Sequence, residues 1–76
     1  MNISIEYCSM WNYLPRAASL ANEILEKYGT DVKELTLIPS GGGVFEVIKN
    51  GDHLFSKKNL DRFPDDGEVM NLIESG

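Results

Sequence analysis

The opening residues decide most of what this chain can become. From Asn2 to Tyr7 the side chains alternate, with Ile3, Ile5 and Tyr7 on one face and Asn2, Ser4 and Glu6 on the other. A period of two marks a β-strand that is covered on one side only. A strand buried on both faces would be apolar nearly throughout. All helices are therefore expected on one face of the sheet, leaving the other to solvent or a partner. The run ends at Cys8, the only cysteine, and Pro15 then opens a long helical pattern. The turn Cys8–Asn12 thus joins a strand end to a helix start. A sulfur placed there faces unpaired helix N–H groups and the positive end of the helix dipole, which favour thiolate over thiol.

The spacing of Ala17, Leu20, Ala21, Ile24, Leu25 and Tyr28 predicts a helix over residues 13–28, with Asn12 as its cap, Pro15 in its first turn and Gly29 as its stop. Residues 32–38 read as a second strand. A strand–helix–strand connection of this length makes a right-handed parallel pair. Pro39-Ser40-Gly41-Gly42-Gly43 reverses the chain. Residues 44–48 and 53–56 then pair as a hairpin across Asn50-Gly51, the strongest short hairpin signal in the sequence. A last helix is expected over residues 66–74, with Val69, Leu72 and Ile73 as its buried stripe and Asp65 and Glu68 at capping-box spacing. The expected fold is α/β in the α+β sense: βαββα, one four-stranded mixed sheet with two helices on one face. The first strand is central, which brings Gly41–Gly43 beside Cys8.

A length of 76 residues predicts a single domain over residues 1–76, near the lower size limit for folding without staples. One cysteine rules out an internal disulfide and any Cys-rich zinc site, and suits a reducing compartment. His53 stands alone beside a hairpin turn without a second ligand at metal spacing, so no metal is expected. The net charge of −5 argues against nucleic-acid binding, which needs clustered Lys and Arg. Neither a basic-then-apolar leader nor an apolar run of bilayer length is present, so a soluble, cytoplasmic protein without membrane association is expected. Gly41–Gly43 lack the following helix with Lys and Ser or Thr of a phosphate loop, so a flexible reversal is the stronger reading. Lys57 and Lys58 would act on the thiol only if their loop folded back toward it.

The segment Cys8-Ser9-Met10-Trp11-Asn12-Tyr13-Leu14-Pro15-Arg16 resembles the C-x-x-(Cys or selenocysteine)-Gly-Tyr-x-Pro-(Lys or Arg) motif of the selenoprotein W family, also called the Rdx group. Gly43-Val44-Phe45-Glu46-Val47 resembles its Gly-x-Phe-Glu-Val strand, Phe55-Ser56-Lys57-Lys58 its Ser-Lys-Lys segment, and Phe63-Pro64 its Phe-Pro. The resemblance runs in order along almost the whole chain. It implies a thioredoxin-like fold without the helix that usually joins the second and third strands, and thiol-dependent redox action with glutathione or a protein partner. Cys8 matches the first motif cysteine and Trp11 the second site, while Asn12 replaces the usual glycine.

Trp11 excludes the dithiol cycle, in which a second sulfur releases the mixed disulfide. A monothiol route survives: Cys8 is oxidised or glutathionylated and then rescued by an external thiol. No bound cofactor is expected, with glutathione the candidate co-substrate, and the chain is expected to be a monomer or weak dimer. Cys8 is the redox candidate, with Ser9, Met10, Gly42 and Gly43 as neighbouring binding candidates. On this reading Cys8 is accessible. The competing reading of Cys8 is an inert, buried small hydrophobe. Trp11 is either a cover over the thiol, an anchor for a partner, or a plug at the helix start. If catalysis has been lost, the scaffold becomes a binding module whose contact surface is Trp11 with Met10.

Overall fold

The computed structural model describes residues 1–75. Strand β1 (Asn2–Cys8) leads into helix α1 (Leu14–Tyr28), and a 3-10 turn at Gly29–Asp31 leads on to β2 (Glu34–Ser40). The hairpin β3 (Phe45–Lys49) and β4 (Asp52–Ser56) follows, then a one-turn helix α2 (Lys57–Leu60) and helix α3 (Glu68–Ser75). The sheet order is β2-β1-β3-β4. β1 is parallel to β2 and antiparallel to β3, and β3 is antiparallel to β4. This is the mixed sheet expected from the sequence, with the first strand central.

The core forms on one side of that sheet. Ile3, Ile5 and Tyr7 of β1 and Phe45, Val47 and Phe55 of the hairpin meet Ala17, Ala21 and Ile24 of α1 and Val69 and Ile73 of α3. The register explains the set: Ile5 is opposite Val47, Tyr7 opposite Phe45, and Val47 opposite Phe55. Cross-strand partners share a face, so the alternation of β1 is carried across the sheet. At the hairpin turn, Asn50 and Gly51 both have positive φ, at 50° and 86°, the backbone that a two-residue turn of matching twist requires. No helix among the described residues is long and apolar enough to cross a membrane.

Element boundaries shift by one residue in the hairpin strands and differ from the sequence expectation further in α1, β2, α2 and α3. Helix α1 begins at Leu14, and Asn12 is not its cap: the cap residue is Tyr13, without a side-chain hydrogen bond, and Asn12 adopts a φ of 59°. Asn is among the side chains that tolerate this left-handed backbone best, so it can hold a conformation that glycine most often supplies. β2 starts two residues later than expected, because the 3-10 turn and the bonds Val32 N–H to the Gly29 carbonyl (3.2 Å) and Lys33 N–H to the Met1 carbonyl (2.8 Å) take up that chain. It also runs through Pro39, since β2 is an edge strand, where a residue without an N–H is tolerated. Helix α2 was not anticipated: the Ser56 hydroxyl accepts the Asn59 N–H at 3.1 Å and starts it.

Helix α3 begins at Glu68, and only half of the capping box forms. The Glu68 carboxylate accepts the Asp65 N–H at 2.9 Å and a two-pronged bond from the Arg62 guanidinium at 2.7 and 2.9 Å. The Arg62 bonds, with the Asp65 N–H, lower the Glu68 pKa from 4.5 to about 2. A carboxylate with a lowered folded pKa stabilises the fold above its unfolded pKa. Its contribution is therefore complete above about pH 4.5 and is lost as the pH falls toward 2. Thermal melts between pH 5 and 2 are expected to show this loss in the natural sequence. The Glu68→Gln variant should lack that part of the slope, and an unchanged slope would remove the assignment.

Candidate functional site

The motif loop is tied down by backbone hydrogen bonds from three segments. Cys8 N–H donates to the Val44 carbonyl at 3.0 Å, Ser9 N–H to the Ser40 carbonyl at 2.9 Å, and Tyr13 N–H to the Cys8 carbonyl at 3.1 Å. The end of β1 is thus joined to the end of β2, the start of β3 and the start of α1. The expected meeting of Cys8 with the glycine loop is present. Its accessibility is not: Cys8 is 0% exposed, and it interrupts the alternation of β1 by being buried next to buried Tyr7.

Trp11 sits over the glycine loop. A Cβ added at Gly43 would lie 2.5 Å from the Trp11 Cζ3 and 2.9 Å from its Cε3, so the indole ring occupies the space a side chain would need. Trp11 remains 62% exposed and does not plug the core. It stands edge-on to Tyr13, Tyr13 to Phe63, and Phe63 to Phe45, at centroid separations of 6.2, 4.7 and 5.5 Å. Such edge-to-face pairs suit the ring quadrupoles. They link the exposed motif loop to Phe45, which is 1% exposed. Met10 and Leu14, close to Trp11 in sequence, are further exposed apolar side chains, while Ser9 donates its hydroxyl to the Ser40 carbonyl at 3.3 Å.

The Ser56–Lys58 segment does fold back toward the motif. The Lys57 ammonium lies 5.6 Å from the Tyr13 ring centre and 5.4 Å from that of Phe63, within cation–π range. The residues on either side of Lys57 are bound to Glu46, a buried carboxylate on β3. Glu46 Oε1 accepts the Ser56 hydroxyl at 2.6 Å and lies 3.1 Å from His53 Nε2, while Oε2 accepts the Lys58 N–H at 3.3 Å. The sequence reading gave Glu46 no role of its own, because alternation assigns it to the helix-free face. The signal available was Ser56, a helix-starting residue directly before Lys57-Lys58.

Two depressions flank these residues. One, of about 320 Å³, is lined by Gly42, Gly43, Val44, Lys57, Lys58 and Asp61, so it borders the motif loop through Gly43 and Val44. The other, of about 400 Å³, lies between α1 and α3 around Arg16, Leu20, Phe63 and Met70. None of residues 8–11 or 41–44 lines it.

The Rdx family profile matches residues 2–75. The chain belongs to the Rdx family. Solved structures agree with that assignment. A crystal structure of a protein from Bordetella parapertussis is 34% identical, with a TM-score of 0.91 over 97% of this chain and 94% of that one. A selenoprotein W-related protein from Vibrio cholerae is 28% identical, with a TM-score of 0.91 over 97% and 92%. No curated protein matches the sequence. The Rdx assignment bears out the resemblance drawn from the motif segments and the thioredoxin-like α+β fold. Within that fold, Trp11 rests on the loop before β3.

Proposed function

We propose that this Rdx chain is a single-thiol redox protein that works through Cys8 with glutathione. The observation that supports the reading best is the setting of Cys8: a strand-to-helix turn held by three segments, with Trp11 laid across the neighbouring loop at the position of the missing second sulfur. The exchange needs no second sulfur in the chain. The Cys8 thiolate attacks one sulfur of a glutathione-bearing disulfide, a bond forms between Cys8 and glutathione, and the other sulfur leaves as a thiolate. A free glutathione thiolate then attacks the glutathione sulfur of this adduct, releasing oxidised glutathione and the Cys8 thiolate. Because Cys8 is buried, the reaction needs a local opening around the turn that follows β1, and the opening equilibrium limits its rate. A reducing compartment such as the cytoplasm is the setting that fits one unpaired thiol.

Intact-mass analysis of reduced protein with oxidised glutathione tests the proposal. One glutathione adduct is expected, removed by added glutathione and absent from Cys8→Ser, which should stay folded. A folded protein that acquires no adduct over hours would overturn it. Exposed Met10, Trp11 and Leu14 favour a second reading, a binding module that holds a protein partner through this apolar patch. Under that reading Trp11→Ala weakens capture of the partner and Cys8→Ser leaves it intact.

A further inference from the structure

We propose that the cleft between Gly42–Val44 and Lys57–Asp61 is an anion subsite for a carboxylate of the low-molecular-weight thiol exchanged at Cys8. The inference rests on the glutathione reading above and adds to it where such a thiol is held and by which charges. The cleft encloses about 320 Å³, at the lower end of the range of small-molecule sites. Its charged wall comes from Lys57, Lys58 and Asp61, two cations against one anion.

Lys27 is paired with Glu74, Arg62 with Glu68, and Lys49 donates to the Ile73 carbonyl. The other Lys and Arg side chains of this acidic chain, Arg16, Lys33, Lys57 and Lys58, have no carboxylate partner among the described residues, and of these only Lys57 and Lys58 line this cleft. Lys57 is held over Tyr13 and Phe63 instead, so a cation is kept at the cleft wall without being neutralised. On the facing wall, Gly42 leaves the backbone open. At Gly42 a Cβ would meet nothing within 4 Å, so an incoming group can approach the main chain there. Val44, on the same wall, is the residue whose carbonyl accepts the Cys8 N–H, and Gly43 lies under Trp11. A net single positive charge suits a carboxylate, and its place one backbone hydrogen bond from Cys8 suits a thiol whose carboxylate and sulfur lie on the same small molecule.

The test uses S-methylglutathione, which keeps the carboxylates and cannot exchange at sulfur, with its dimethyl ester as the control. In an amide chemical-shift titration of the whole protein, saturable shifts are expected at Gly42, Gly43, Lys58 and Asp61 with the acid. The ester should leave them unmoved. Lys57→Gln with Lys58→Gln should weaken binding about tenfold, and Lys58→Gln alone about threefold, in line with the loss of charge-assisted contacts at a partly exposed site. Salt should weaken binding to the natural sequence most, as screening requires. Silence at the cleft, equal shifts with the ester, or affinity unaffected in a folded double variant would each overturn the subsite. The glutathione-adduct assay separates the two failures. Cleft binding without an adduct at Cys8 sinks the redox reading and leaves the anion site, whereas an adduct with a silent cleft does the reverse.

Discussion

Replacing Trp11 with alanine is expected to speed the alkylation of Cys8 by iodoacetamide about tenfold to thirtyfold. Trp11 is 62% exposed, so roughly two-fifths of its surface is covered, about 90 Å² for a side chain of this size. At about 25 cal/mol per Å² that contact is worth about 2 kcal/mol, an upper figure because the open loop keeps part of it. Every 1.4 kcal/mol is tenfold in an equilibrium, and a buried thiol reacts from the open population. Gly43→Ala should act the same way from the other side, since its Cβ would lie 2.5 Å from the indole. That variant also bears a strained backbone at φ 72°, costing about 1 kcal/mol. Labelling followed by intact mass gives the rates. If Trp11→Ala and Gly43→Ala both label at the parent rate, Trp11 does not control access to Cys8.

Glu46→Ala is expected to destabilise the protein by about 2–3 kcal/mol, with a melting temperature lower by about 8–24 °C for a chain of this size. The carboxylate is 6% exposed and is the acceptor for both the Ser56 hydroxyl and the Lys58 N–H. Removing it strands two donors at the start of α2, and stranded donors cost more than the hydrogen bonds themselves are worth. Glu6 makes the effect diagnostic. It lies directly opposite Glu46 across β1 and β3, where like charges repel. Glu46→Gln relieves that repulsion and keeps an acceptor for Ser56, so it should retain most of the stability that Glu46→Ala loses. A loss as large in Glu46→Gln would mean that the charge, and not the acceptor, holds α2. Hydrogen exchange at Asn59 and Asp61, whose N–H groups bond Ser56 and Lys57, reports α2 directly.

The architecture was legible in the sequence wherever a period was long enough to read. The alternation of Ile3, Ile5 and Tyr7 and the helical stripe from Ala17 to Tyr28 carried the strand order, and Asn50-Gly51 placed the hairpin. Local chemistry was harder. Val32 looked like a strand start because it is apolar, but the turn at Gly29–Asp31 uses that chain before β2 begins. Four residues of α2 are too few for any periodicity, so only Ser56 marked it. The β-bulge between Val47 and Ile48 left no trace in composition. At the site, the sequence brought Cys8 and Gly43 together correctly, since both follow from strand order. It could not tell that Cys8 would be buried and Trp11 outside. That depends on local packing in the turn after β1, where Asn12 takes a left-handed backbone and no period reaches.

The central place of β1 governs when the chain can complete its fold as well as what it becomes. Its partners are remote in sequence: Ile3 pairs with Leu35 on one side and with Lys49 on the other. As the chain leaves the ribosome, the amino-terminal strand must wait until the residues of β3 have emerged before its second edge is satisfied. Until then Ile3, Ile5 and Tyr7 sit on an open edge, a state prone to pairing with other chains. Distant pairings of this kind slow folding relative to a helical bundle of equal length. A chain cut before Phe45 is therefore expected to aggregate, so the thiol at Cys8 acquires its protected setting only late in synthesis.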